Sequence, residues 1–294
     1  MSKDPLEKIR RLKQTDEVWE GTTRLARMWI SPKNADPYRS YHLIFVSDTD
    51  RVVLTKINNE LPTPDQVCEA LFKAMRRPAL GAGRKRRPRV LALDDKELVQ
   101  AITPRLAEIG VLCEYRSELP FASYALQELE QHVNRKFPAP PSLLSIRGVT
   151  IPLLGNIFTS AADFYRLAPW EQLQDETPIE IRYPAGAASR FVVVMGAAGE
   201  SFGISVNDTR ADLNRMFTAA SPRQLIKEIS WFTLTYDVAP YFSFDDLDTI
   251  SRYDWPVVNE YAYPSMARVG PTPEFYLPTR QDLFWVEGAL PVVN

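Results

Sequence analysis

Between Arg76 and Arg89 the chain reads RRPALGAGRKRRPR, seven basic side chains around a loop that carries two glycines and two prolines. Cations at that density can neutralise phosphates and release counterions without reading a base sequence. The run contains no aromatic ring on which a base could stack, a device common among single-strand binders. Arg84, Lys85, Arg86, Arg87 and Arg89 are therefore the candidate phosphate contacts, and the 76–89 loop the expected place of any weak nucleic-acid binding. The competing reading is a solvated connection between a helix and a strand, or a loop docked on acidic residues of its own or a partner chain.

Other chemistries lack their parts. The two histidines, His42 and His132, stand far apart, and neither cysteine, Cys68 or Cys113, lies near a histidine in sequence, so a zinc site has nothing local to be built from. No G-x-S-x-G elbow is present. In MGAAGESFG, Gly196, Gly199 and Gly203 suggest a nucleotide cradle, but such a loop presents backbone N–H groups at a helix start, and here FGISV continues as a strand pattern. A hairpin turn is the expected structure. The acidic stretch FSFDDLDTISRYD, with Asp245, Asp246, Asp248 and Asp254, lacks the glycine and the final glutamate of a calcium loop and reads as a helix start. Neither a catalytic group nor a cofactor is expected on these grounds.

The length of 294 residues favours two domains. The net charge of −2 hides an asymmetry: residues 1–137 sum to +5 and residues 138–294 to −7. The charged N-terminal stretch has no apolar core segment, and no run approaches a membrane span, so neither export nor insertion is expected. Two cysteines 45 positions apart, each in an apolar segment, read as reduced thiols of a cytosolic protein.

Elements that must position these residues follow from periodicity. Val18–Ile30, Tyr41–Val46 and Arg51–Ile57 read as strands. Thr63 and Pro64 open a helix with Val67, Leu71, Phe72 and Met75 on one face. Arg89–Leu93 is a buried strand, Asp94 with Glu97 a capping pair for a helix ending at Gly110, Val111–Tyr115 a strand and Phe121–Phe137 a helix. Pro138 to Pro141 opens a proline-punctuated linker over 138–157. In the second half, Ser160 and Asp163 read as a cap, Ile179–Tyr183 and Trp231–Tyr236 as strands, and FVVVMGAAGESFGISV as a glycine-rich hairpin. Extended coil follows Tyr253 until Thr279 caps a last helix.

The order β-β-β-α-β-α-β-α over residues 1–137 resembles a ribonuclease H-like fold, and 158–294 reads as an α+β domain with a proline-rich tail. APWEQLQDETPIEI, the glycine hairpin and DLFWVEGAL resemble an uncharacterised bacterial family known only as a domain of unknown function, and the first half resembles a companion domain. The ribonuclease H-like likeness implies carboxylates converging on two metal ions. Asp94 or Asp95 after the fourth strand, Glu69 on the first helix and Glu128 on the third are the residues that could supply them. The centre of the first strand carries Arg24 and Arg27, and its acidic residue, Glu20, lies near its beginning. The leading expectation is thus a non-enzymatic binding or interaction protein, with a protein partner or a second copy as alternatives to nucleic acid. The runner-up is a nucleic-acid-associated protein with a degenerate ribonuclease H-like domain, with or without residual metal-dependent nuclease activity.

Overall fold

The computed structural model describes residues 5–49, 51–135, 139–270 and 277–293. It is a mixed α/β protein with two sheets and, among the described residues, nine α-helices. The chain divides into two compact units, Met1–Pro138 and Ala139–Asn294.

The first unit contains α1 (Pro5–Arg10), β1 (Val18–Leu25), β2 (Tyr41–Ser47), β3 (Arg51–Asn58), α2 (Pro64–Arg76), β4 (Val90–Leu93), α3 (Lys96–Ala107), β5 (Leu112–Tyr115) and α4 (Pro120–Asn134). The strands lie in the order β3-β2-β1-β4-β5; the first three are antiparallel and β4 and β5 run parallel to β1. Successive side chains on a strand point to opposite faces, and the core divides accordingly. Trp19, Leu43, Phe45, Leu91 and Leu93 pack with Ile9 of α1, Val67 and Leu71 of α2 and Ile102 of α3. Ile44, Val46 and Ala92 pack on the other face with Ala122 and Leu126 of α4.

Helix starts show how locally these elements are set. Thr63 accepts from Gln66 N while the Gln66 side chain accepts from Thr63 N, a reciprocal capping box that closes α2. The α3 cap is Asp95, which accepts from the backbone N–H of Glu97 and Leu98. This corrects the Asp94–Glu97 pairing read from spacing: the cap is the residue directly before the first helical one, Lys96, and Asp94 lies one position too early, just past the end of β4. α4 has no local side-chain cap. Glu20 of β1, 2% exposed, accepts from Ala122 N at 2.9 Å and supplies one from 102 residues away. β1 also stops at Leu25 rather than Ile30.

The second unit contains α5 (Ile151–Leu167), β6 (Pro178–Ile181), β7 (Arg190–Met195), β8 (Gly203–Asn207), α6 (Arg210–Thr218), α7 (Pro222–Glu228), β9 (Trp231–Asp237), α8 (Phe244–Tyr253), β10 (Tyr263–Val269) and α9 (Arg280–Val293). Its sheet runs β10-β9-β8-β7-β6, antiparallel throughout. Part of the stretch read as a linker, residues 138–157, is helical. α5 begins inside them, with the Thr150 hydroxyl accepting from Leu153 N and Pro152 in the first turn, and Leu153, Leu154 and Ile157 are buried. Ser160 and Asp163 lie within that helix, where Asp163 pairs with Arg166 at 2.8 Å instead of capping. The tail is not continuous coil either: β10 adds to the sheet, its Pro264 at a strand edge where no donor is needed on the open side. The expected coil around Pro271 and Pro273 lies outside the described residues. No described helix is long and apolar enough to cross a membrane.

Candidate anion-binding groove

A groove of about 1030 Å³ opens on the first unit between α1, β3, α2 and α3. Lys8 of α1, Lys56 of β3, Lys73 and Arg76 of α2, Arg77 just past it and Arg105 of α3 line it, against a single carboxylate, Glu69. Leu6, Leu54, Ala70 and Phe72 supply its apolar part. Glu69, Lys73 and Arg76 stand at i, i+4 and i+7 on one helix and therefore share a face. The last turn of α2 also favours cations, because its carbonyls carry the negative end of the helix dipole.

The six cations differ in how far they are committed. Arg105 pairs with Asp65 at 2.6 Å and lies over the Phe72 ring, 5.6 Å from its centroid. Arg76 donates to the Phe72 carbonyl at 3.1 Å. Lys8, Lys56, Lys73 and Arg77 are exposed and carry no ion pair among the described residues. A surface normally intersperses both signs; here one sign gathers from four elements.

The basic loop sorts differently from the sequence expectation. Arg84 and Lys85 are exposed. Arg86 is not: its Nε donates to both Glu17 oxygens at 2.7 and 2.8 Å, its guanidinium stacks over Trp19, and Trp19 Nε1 donates to the same carboxylate. Burial pushes the Glu17 carboxyl up, but the Arg86 and Trp19 hydrogen bonds outweigh it and hold the group below its ordinary value. Arg87 donates to the carbonyls of Leu12 and Ile109, and Arg89 pairs with Asp16 at 2.5 Å. Three of the five proposed phosphate contacts thus tie the loop to the segment between α1 and β1, and Arg87 also to the turn after α3. Arg86→Ser is expected to cost about 1.5–3 kcal/mol, the range for hydrogen bonds to charged groups, whereas Arg84→Ser with Lys85→Ser stays within about 0.5 kcal/mol; equilibrium denaturation of the two variants separates the roles.

The carboxylates named for a metal pair are not brought together. α2 and α4 pack on opposite faces of the sheet, which separates Glu69 from Glu128. Asp95 is the α3 cap, and Asp94 accepts from Thr22 Oγ1 at 2.9 Å and from Arg24 at 3.0 Å. The Arg24 guanidinium is the cation this carboxylate already has. Among the described residues no group of three or more His, Cys, Asp or Glu is placed to hold a metal ion.

The comparisons with known proteins divide the chain in the same place. Residues 5–130 match the family model of a domain of unknown function, DUF6930, and residues 155–281 match a second, DUF7309. The chain pairs two domains of unknown function. No curated protein matches it. Among solved structures, it is similar at 16% identity to a chain of the simian T-cell lymphotropic virus intasome in complex with PP2A regulatory subunit B56 gamma. That likeness covers 45% of this chain and 47% of the other at a TM-score of 0.28.

The groove residues all fall within the first of these domains. In the second, the turn between β7 and β8 brings the Gly196 and Ala197 N–H groups onto Asp175 Oδ1, each at 3.0 Å. The donors a phosphate would require are satisfied by the chain's own carboxylate. Gly196 itself, at φ 132°, packs against Trp170 and Phe202. In the acidic stretch, Ser243 caps α8 and Asp246, 4% exposed, accepts from Ser142 Oγ and Leu143 N. His42 is 1% exposed in β2, where burial holds its pKa below the ordinary value. The groove escaped the sequence reading because its cations are spread from residue 8 to residue 105; the one local signal was Arg76–Arg77 at the end of α2.

Proposed function

We propose that the chain is a non-enzymatic binding protein whose first domain, with its elements in ribonuclease H-like order, holds an anionic ligand in the groove between α1, β3, α2 and α3. One observation carries this reading: the groove is lined by six cations and one carboxylate, and four of the cations, Lys8, Lys56, Lys73 and Arg77, carry no ion pair among the described residues. The engagement of Asp94 by Arg24 and the separation of Glu69 from Glu128 support a domain without metal-dependent hydrolysis. The reading places the protein in the bacterial cytoplasm, in keeping with two free, buried cysteines, Cys68 having its thiol pushed up to about 11 by burial. Reduced, un-ionised thiols of that kind are inert packing groups.

The test is retention on immobilised heparin at low ionic strength. Wild-type protein is expected to be retained, and the charge reversals Lys73→Glu and Arg77→Glu to elute early without loss of fold. An equal elution position for both proteins would remove the groove as the site. In a parallel assay with magnesium or manganese, cleavage of nucleic acid that disappears in Asp94→Asn would restore the nuclease alternative.

A further inference from the structure

The groove's chemistry narrows its ligand class. We propose that it binds a run of phosphates, as on a nucleic-acid duplex or a linear polyphosphate, by charge alone; this rests on the anion-groove reading and specifies its ligand. The groove offers no platform for a base: its aromatic residue, Phe72, is 5% exposed and lies beneath the Arg105 guanidinium. Recognition through stacking needs an accessible ring face. What remains accessible is cationic, and Arg77 brings the planar fork that matches two phosphate oxygens at once.

Size points the same way. A volume of about 1030 Å³ has a linear dimension of roughly 10 Å, over which a duplex presents on the order of six phosphate charges, one per ~1.7 Å of axis. Roughly half of these face one side of the helix. The four uncommitted cations, Lys8, Lys56, Lys73 and Arg77, are enough to meet the roughly three or four phosphates that face them. They come from α1, β3 and both ends of the last turn region of α2, so they border the ligand instead of converging on one atom. A single compact anion would leave some of them without a partner, and an extended row would not.

Fluorescence anisotropy of the full chain against four probes tests the assignment: a labelled DNA duplex, its single strand, inorganic polyphosphate and poly-glutamate. The duplex or the polyphosphate, or both, are expected to bind at low salt at least tenfold tighter than poly-glutamate, with the single strand no tighter than the duplex; which of the two phosphate probes binds identifies the source. In the variant combining Lys8→Ser, Lys56→Ser, Lys73→Ser and Arg77→Ser, the slope of log K against log salt on duplex should fall by roughly 3 to 4, at about 0.9 per phosphate contact. Arg84→Ser with Lys85→Ser should leave that slope unchanged. Poly-glutamate binding as tightly as the phosphate probes overturns the phosphate assignment in favour of an acidic protein surface, while heparin retention still upholds the groove. A slope carried by Arg84 and Lys85 moves the site to the loop, and a preference for the single strand overturns recognition by charge alone. Absence of binding to every probe, heparin included, overturns both readings.

Discussion

Asp282→Ala is expected to destabilise the second unit by about 3–5 kcal/mol, the usual cost of removing one partner from a buried ion pair. Asp282 is fully buried at the start of α9 and accepts from Arg190 at 3.1 Å, from Arg268 at 2.8 and 2.9 Å, and from the Thr279 backbone and hydroxyl at 2.8 and 2.6 Å. Asp208 bridges the same two arginines at 3.2 and 2.9 Å, so two carboxylates balance two guanidiniums. Without Asp282, Arg190 and Arg268, each about one-fifth exposed, retain one carboxylate between them. Denaturant unfolding of the variant would contradict this account if the loss were under about 1 kcal/mol, the value of an exposed pair.

The same group makes a prediction in acid. Burial raises the Asp282 carboxyl, but the hydrogen bonds from Arg268 and Thr279 prevail and hold it at about 2, against an ordinary 3.8. A carboxylate with a depressed folded pKa contributes stability that is complete above its unfolded pKa and is lost as pH falls through the folded one. Wild-type stability should therefore drop between roughly pH 4 and pH 2, and Asp282→Asn should flatten that part of the profile.

Gly203→Ala is the second large effect, expected at about 2–6 kcal/mol from backbone strain of about 1–3 together with overpacking of about 1–3. Gly203 opens β8 at φ 141°, where a Cβ would fall against the Leu234 carbonyl oxygen and the Thr235 Cα of the neighbouring β9. The obstruction is backbone in a central strand and cannot rotate away. Gly199→Ala, with nothing within 4 Å of its Cβ position, is the control for positive φ alone; thermal unfolding temperatures of the two variants that coincide would rule out the close approach.

These residues show where a linear reading reaches its limit. The Thr63–Pro64 helix start and the strand patterns of β2 and β3 were legible because cap, proline and alternation act over a few positions. Thr150 followed by Pro152 repeats that signal at α5 and was obscured by the prolines before it. β10 was hidden by Pro264, since an edge strand tolerates what a central one does not. Arg86 looks like any other charge in a basic run, and only the fold brings Glu17 and Trp19 to it. Likewise, nothing in the spacing of residues 190, 208, 268 and 282 announces an ion-pair network.

The Glu20 cap has a consequence for how the chain is made. Synthesis runs from the N-terminus, so the carboxylate that satisfies α4 leaves the ribosome about a hundred residues before the helix that needs it. The first turn of α4 takes its side-chain acceptor from β1 and not from its own segment, across a long loop whose closure is entropically costly but only weakly dependent on its length. The start of α4 is thereby tied to the earliest strand of the chain: the two ends of the domain share one buried hydrogen bond.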